Sequence, residues 1–140
     1  MGKAAIIYWS GTGTTEAMAQ SIGRGMKEAG ADVDLFSVSD AGAAGAADRY
    51  EQFAFGCPSM GSEVLEEGEF EPFFTAIEGK LAAKKVALFG SYGWGDGQWM
   101  RDWQERARKA GADLFEEGFI AQESANEDAA AEFGKRFACY

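Results

Sequence analysis

A chain of 140 residues, 46% of them hydrophobic and 14% aromatic, is long enough to bury a full core as one domain over 1–140 without disulfides or metals. Its formal charge of −10, from 13 basic against 23 acidic residues, argues against nucleic acid and anionic membranes and favours partners with basic surfaces. There is no histidine and no apolar run of spanning length, Met1-Gly2-Lys3 leads into a strand instead of an export signal, and Cys57 and Cys139 match no zinc or redox spacing, so metal centres and triad chemistry lose support and the cytoplasm is the expected location.

Ala4-Ala5-Ile6-Ile7-Tyr8 reads as a buried strand that turns into a helix through Ser10-Gly11-Thr12-Gly13-Thr14-Thr15. A strand-to-helix turn aims free backbone N–H groups and the positive end of the helix dipole at one point, which suits a phosphate. The hydroxyls of Ser10, Thr12, Thr14 and Thr15 add donors, and Gly11 and Gly13 permit close backbone approach. A plain helix cap needs one such hydroxyl, not four. A Walker loop is excluded because the first lysine after this turn is Lys27, and the dinucleotide fingerprint fails because Glu16 stands where its third glycine is needed.

Residues 15–29 form the first helix, with Met18, Ile22 and Met26 on one face and Gly30 as its stop. Residues 32–37 give a second strand, 39–47 a loop, and 50–56 a third strand ending in Phe53-Ala54-Phe55. A long connection from Cys57 to Glu69 precedes a helix containing Glu71-Pro72-Phe73-Phe74, with the proline in its first turn. Val86-Ala87-Leu88-Phe89 is a strand covered on both faces, and the turn 90–97 leads into a helix with Trp99, Trp103, Ala107 and Ala110 on one side. Residues 115–121 are expected to form the fifth strand. The last helix starts near Asn126 and packs Ala129, Phe133 and Phe137 inward.

Alternating strands and helices imply right-handed crossovers and a parallel sheet with helices on both faces. Ligands of such sheets bind at the carboxyl ends of strands near the switch in strand order, so the loops leaving strands one, three and four should converge. The second of these reads Pro58-Ser59-Met60-Gly61-Ser62-Glu63 and the third Ser91-Tyr92-Gly93-Trp94-Gly95-Asp96. Met60 and Trp94, each beside glycine, suit a planar ring held between a thioether and an indole.

Over nearly its whole length the chain resembles the short-chain flavodoxins of anaerobic bacteria. The motifs that carry the likeness are Ile6-Ile7-Tyr8 followed by Ser10, Gly13, Thr15, Ala19 and Ile22; Gly56-Cys57-Pro58 with Met60-Gly61; and Phe89-Gly90-Ser91-Tyr92-Gly93-Trp94-Gly95. The resemblance implies a flavodoxin-like three-layer α/β/α sandwich with a five-stranded parallel sheet in the order 2-1-3-4-5, and non-covalently bound FMN. Ser10 through Thr15 would wrap its phosphate, and Ser59 and Ser91, with Gln122 as a weaker candidate, would lie near the ribityl chain. Met60 and Trp94 would cover the two ring faces. Backbone N–H groups of Gly93 to Gly95 would reach the pyrimidine edge, and Glu63 would accept from the imide N–H. Thr14 stands where many relatives carry Asn, which bears on affinity more than on cofactor identity.

The same resemblance implies a low-potential one-electron carrier that shuttles between semiquinone and hydroquinone. It would act as a monomer between redox enzymes with basic docking surfaces, such as flavodoxin or ferredoxin reductases and ferredoxin-type oxidoreductases. Gly61 resembles the glycine whose carbonyl turns toward the reduced ring. If Gly61–Ser62 is the rotating peptide of a type II turn, Ser62 needs a positive φ at a cost of about 1–2 kcal/mol. A carboxylate about 10 Å from the ring opposes the second electron by roughly 0.4–1.7 kcal/mol, on the order of 20–70 mV. An FMN-dependent quinone or nitro reductase on the same fold is the alternative, although no second nucleotide motif is visible. A phosphorelay receiver and a low-molecular-weight phosphatase lack their required residues.

Overall fold

The computed structural model describes residues 3–11, 13–40, 45, 48–61, 63–93, 95–122 and 124–140. Its elements follow in the order β1 (Lys3–Tyr8), α1 (Thr14–Glu28), β2 (Asp32–Ser37), β3 (Gln52–Gly56), α2 (Phe70–Glu78), β4 (Lys85–Tyr92), α3 (Gln98–Lys109), β5 (Asp113–Leu114), β6 (Phe119–Gln122) and α4 (Glu127–Ala138). Most of the expected loop over 39–47 lies outside the described residues.

All strand pairings are parallel, and the sheet runs β2-β1-β3-β4 with β5 and β6 both on the far edge of β4. The registers align Ala4 with Val33 and with Gln52, and Phe53 with Val86. Period-two alternation then sends each strand's side chains to opposite faces. Ala5, Ile7, Phe53, Phe55, Val86 and Leu88 meet Phe70 and Phe74 of α2 and Trp99 and Trp103 of α3 on one face. Ala4, Ile6, Ala54, Ala87 and Phe89 meet Met18, Ile22 and Met26 of α1 and Phe133 and Phe137 of α4 on the other. Fully burying one such side chain contributes about 1.5–3 kcal/mol, so two filled faces hold the sheet without any cross-link.

Several expectations shift in detail: β4 runs on through Tyr92 into the turn expected over 90–97, and Ala110, expected on the inner side of α3, is its half-buried C-cap. The fifth strand is not continuous over 115–121: five positions separate Leu114 from Phe119 where three separate Val86 from Phe89, their partners on β4. The ladder is interrupted over Glu116-Glu117-Gly118, a stretch that absorbs the two surplus residues, with Glu116 at φ 48° and the Gly118 N–H satisfied by Gln104 Oε1 at 2.6 Å. In α4 the buried stripe is Ala130, Phe133 and Phe137, with Ala129 only half-buried. A repeat of 3.6 residues turns Ala129 aside and brings Ala130 inward.

α1 and α4 approach closely. A Cβ on Gly25 would lie 1.9 Å from the Ala131 carbonyl oxygen, and one on Gly134 would lie 2.2 Å from that of Ile22. The seam therefore requires the bare backbone of glycine at both points.

Candidate functional site

Three loops leave the carboxyl ends of β1, β3 and β4, the middle of the sheet, and are tied to one another by backbone bonds. The Trp9 N–H donates to the Gly56 carbonyl at 3.0 Å, Cys57 N–H to Phe89 O at 3.2 Å and Ser59 N–H to Ser91 O at 2.9 Å. Between them opens a cavity of about 420 Å³. Its floor and first wall are Ser10, Gly11, Thr14 and Thr15; Pro58, Ser59 and Met60 form the second, and Ser91, Tyr92 and Gly93 the third. Larger hollows of about 590 and 500 Å³ lie away from the strand ends, the first on the α2/α3 surface and the second beside α1 and β2.

The first wall is built by the start of α1. Gly13 sits at φ 99°, a left-handed conformation that reverses the chain into the helix, and its N–H donates to Ser10 Oγ at 3.1 Å. The first N–H bonded back to the Gly13 carbonyl is that of Ala17, at 3.0 Å, so the amides of Thr14, Thr15 and Glu16 form the open end of the helix. Thr15 is buried and its Oγ1 shares a 2.9 Å hydrogen bond with Ser91 Oγ, fastening the first wall to the third. Thr12 lies outside the described residues.

In the second loop Met60 and Glu63 close a turn, with Glu63 N–H donating to Met60 O at 2.8 Å and Met60 N–H to Val64 O at 2.9 Å. Gly61 is exposed at this turn, and a Cβ there would meet no protein atom within 4 Å. Ser62 lies outside the described residues; Glu63 carries a positive φ of 52°. The Glu63 carboxylate crosses to the third loop, where Oε1 accepts from the Asp96 N–H at 3.1 Å. It passes so close to Gly95, itself at φ 87°, that a Cβ there would lie 1.5 Å from Oε1. Trp94 lies outside the described residues. Gln122 Nε2 donates to Gly93 O at 3.4 Å, which places it beside the third loop.

Farther along the second loop, Glu66 caps α2. Its Oε1 accepts from the N–H groups of Glu69 and Phe70 and its Oε2 from that of Gly68, each at 2.8 Å. Burial pushes this carboxyl up, but the three amides outweigh it and leave the group below the usual glutamate range. The Glu66 N–H in turn donates to Cys57 Sγ at 3.3 Å, which anchors the loop to the end of β3. Burial raises the Cys57 thiol to about 12, so it stays protonated and packs as an apolar group.

One lining residue escapes the sequence reading. Trp9 walls the cavity beside Ser10, its ring lying 3.1 Å from where a Gly11 Cβ would stand, and its Nε1 donates to Glu69 Oε1 at 3.3 Å.

Among the described residues the lining contains no charged side chain: it consists of hydroxyls, amides, a proline, a thioether and aromatic rings. That donor set fits a phosphorylated ligand with a flat apolar body, and so fits FMN. A volume of about 420 Å³ is within the usual range for cofactor sites, and a Cβ on Gly93 would enter open space. Among the described residues no cluster of His, Cys, Asp or Glu could hold a metal ion.

A family model described as Flavodoxin matches residues 6–134. The chain is 49% identical over 135 residues to a flavodoxin of Clostridium beijerinckii, with 95% of this chain and 97% of that one covered. It is 45% identical over 130 residues to a flavodoxin of Megasphaera elsdenii, with 93% and 94% covered. The solution structure of the two-electron reduced Megasphaera elsdenii flavodoxin matches with a TM-score of 0.87 at 43% identity, covering 98% of this chain and 99% of that one.

Proposed function

The chain belongs to the flavodoxin family, the FMN-binding electron carriers, and we propose that it moves single electrons at low potential between redox enzymes that meet it through basic surfaces. Family membership makes it an electron-transfer protein and sets aside the quinone or nitro reductase alternative. In this reading the whole chain acts as one FMN-binding domain and as a cytoplasmic monomer. Among the described residues no helix is long and apolar enough to cross a membrane.

The observation that carries the proposal is the cavity where three loops converge, lined by neutral donors and open at Gly93. Bound FMN would supply a ring that takes up and releases electrons one at a time. Ser10 to Thr15 would hold its phosphate with hydroxyls and the helix amides, orienting the ligand without a lysine. Ser59 and Ser91 would serve the ribityl chain. Met60 and Trp94 would cover the ring and exclude water, and Glu63, steadied by the Asp96 N–H, would accept from the ring's imide edge. The carboxylates of Glu63, Glu66, Glu67, Glu69 and Asp96 on the same loops oppose added negative charge and so lower the second potential. They also present an acidic rim to a basic partner.

The test is a titration of the full chain with FMN, followed by a stepwise dithionite titration of the visible spectrum. Binding in a one-to-one ratio with two resolved one-electron stages supports the reading. Protein that stays colourless with FMN present overturns it.

A further inference from the structure

Glu16 is the third residue of α1. From that position a glutamate normally folds back onto the N–H of the residue preceding the helix, closing a capping box. That residue is Gly13, in the middle of the anion loop, and the helix dipole draws the carboxylate the same way. The structure shows a different arrangement. The Gly13 N–H donates to Ser10 Oγ at 3.1 Å, and Glu16 Oε2 instead accepts from the Tyr8 hydroxyl at 3.0 Å.

We propose that Tyr8 is a positioning residue for phosphate binding: it holds the Glu16 carboxylate to the side and so keeps a competing anion off the loop amides. Tyr8 is well placed for this. It is the last residue of β1, paired with Ser37 on one side and Gly56 on the other, and its half-buried ring packs against the α1/α4 core. Its hydroxyl is fixed by the sheet and not by a flexible loop. Burial and then the Glu16 bond push that hydroxyl up to about 12, so it remains a donor throughout the neutral range. The need for such a device follows from the lining. With no cation among the described lining residues, nothing else would offset a carboxylate that settled on Gly13.

The proposal rests on the reading that this loop holds the FMN phosphate. Its test compares FMN with riboflavin, which lacks the phosphate, on the full chain, on Tyr8→Phe and on Tyr8→Phe/Glu16→Gln. Tyr8→Phe should weaken FMN about tenfold, the loss of one charge-assisted hydrogen bond, and leave riboflavin unchanged; the double variant should regain the lost affinity. Equal losses for both ligands, an unaltered FMN affinity, or a loss that persists in the double variant would each overturn it. Failure of the underlying reading appears earlier, in the unsubstituted chain, which would then bind FMN no better than riboflavin, and it removes the proposal as well.

Discussion

Replacing Glu66 by alanine removes the acceptor of three backbone N–H groups at the start of α2, each bonded at 2.8 Å. Loss of a helix cap costs about 0.5–2 kcal/mol, and a charged acceptor at a helix N-terminus adds about 0.3–1 kcal/mol. Partial exposure screens the charge, so about 2 kcal/mol is the expected sum. With an unfolding entropy of about 2.1 cal/mol/K per residue, that lowers the melting midpoint of a chain this long by about 7 °C. Glu66→Gln retains one acceptor oxygen and should lose about half as much. Because the folded carboxyl lies below the usual glutamate value of 4.5, its stabilisation is complete above that pH and disappears as pH falls through the folded value. The gap between the native chain and Glu66→Gln should therefore narrow on acidification. The assay is thermal unfolding by far-UV circular dichroism at fixed protein and FMN concentrations. A Glu66→Ala midpoint within about 1 °C of the native one at pH 7, against the shift of about 7 °C expected, would refute the idea that these bonds carry net stability.

Three further expectations are open to measurement. Glu63→Gln keeps an acceptor for the Asp96 N–H but removes the charge, so FMN and riboflavin should both bind about tenfold more weakly; undiminished affinity would remove Glu63 from the ring edge. Gly134→Ala places a methyl 2.2 Å from the Ile22 carbonyl oxygen and should destabilise by about 1–3 kcal/mol as the helices separate, a forecast that an unchanged melting midpoint would contradict. At pH 8 a thiol reagent should modify the exposed Cys139 promptly and the buried Cys57, raised to about 12, only on unfolding; two equally fast thiols would disprove that assignment.

The two-faced core and the positions of the three loops were legible because period-two and period-3.6 patterns are local and strong, whereas the strand order came from the likeness to a known family. Where pairing is set by distant parts of the chain, the sequence carried less. Thr15 and Ser91 share a hydrogen bond across 76 positions, and no spacing rule marks one hydroxyl as the partner of the other. Glu66 is one of four acids between residues 63 and 69, indistinguishable by type until the loop folds over the start of α2. The break in the fifth strand did leave a trace, since Glu116-Glu117-Gly118 is a poor stretch for a buried ladder. Trp9 had only one usable signal, its place directly after β1 and ahead of Ser10, at the end of the sheet where the cavity opens. The Tyr8–Glu16 bond was likewise invisible, because a glutamate in the first turn is explained well enough by the helix dipole.

The tight seam between α1 and α4 also constrains when the protein can become competent. Ile22 and Gly134, which touch there, stand 112 positions apart. During synthesis at about 5–20 residues per second, α1 waits roughly 6–20 s for its mate. Until then the helix that presents the loop amides has one flank of its packing missing. Cofactor loading should accordingly follow completion of the polypeptide, and a ribosome-tethered chain stalled before residue 127 should capture no flavin.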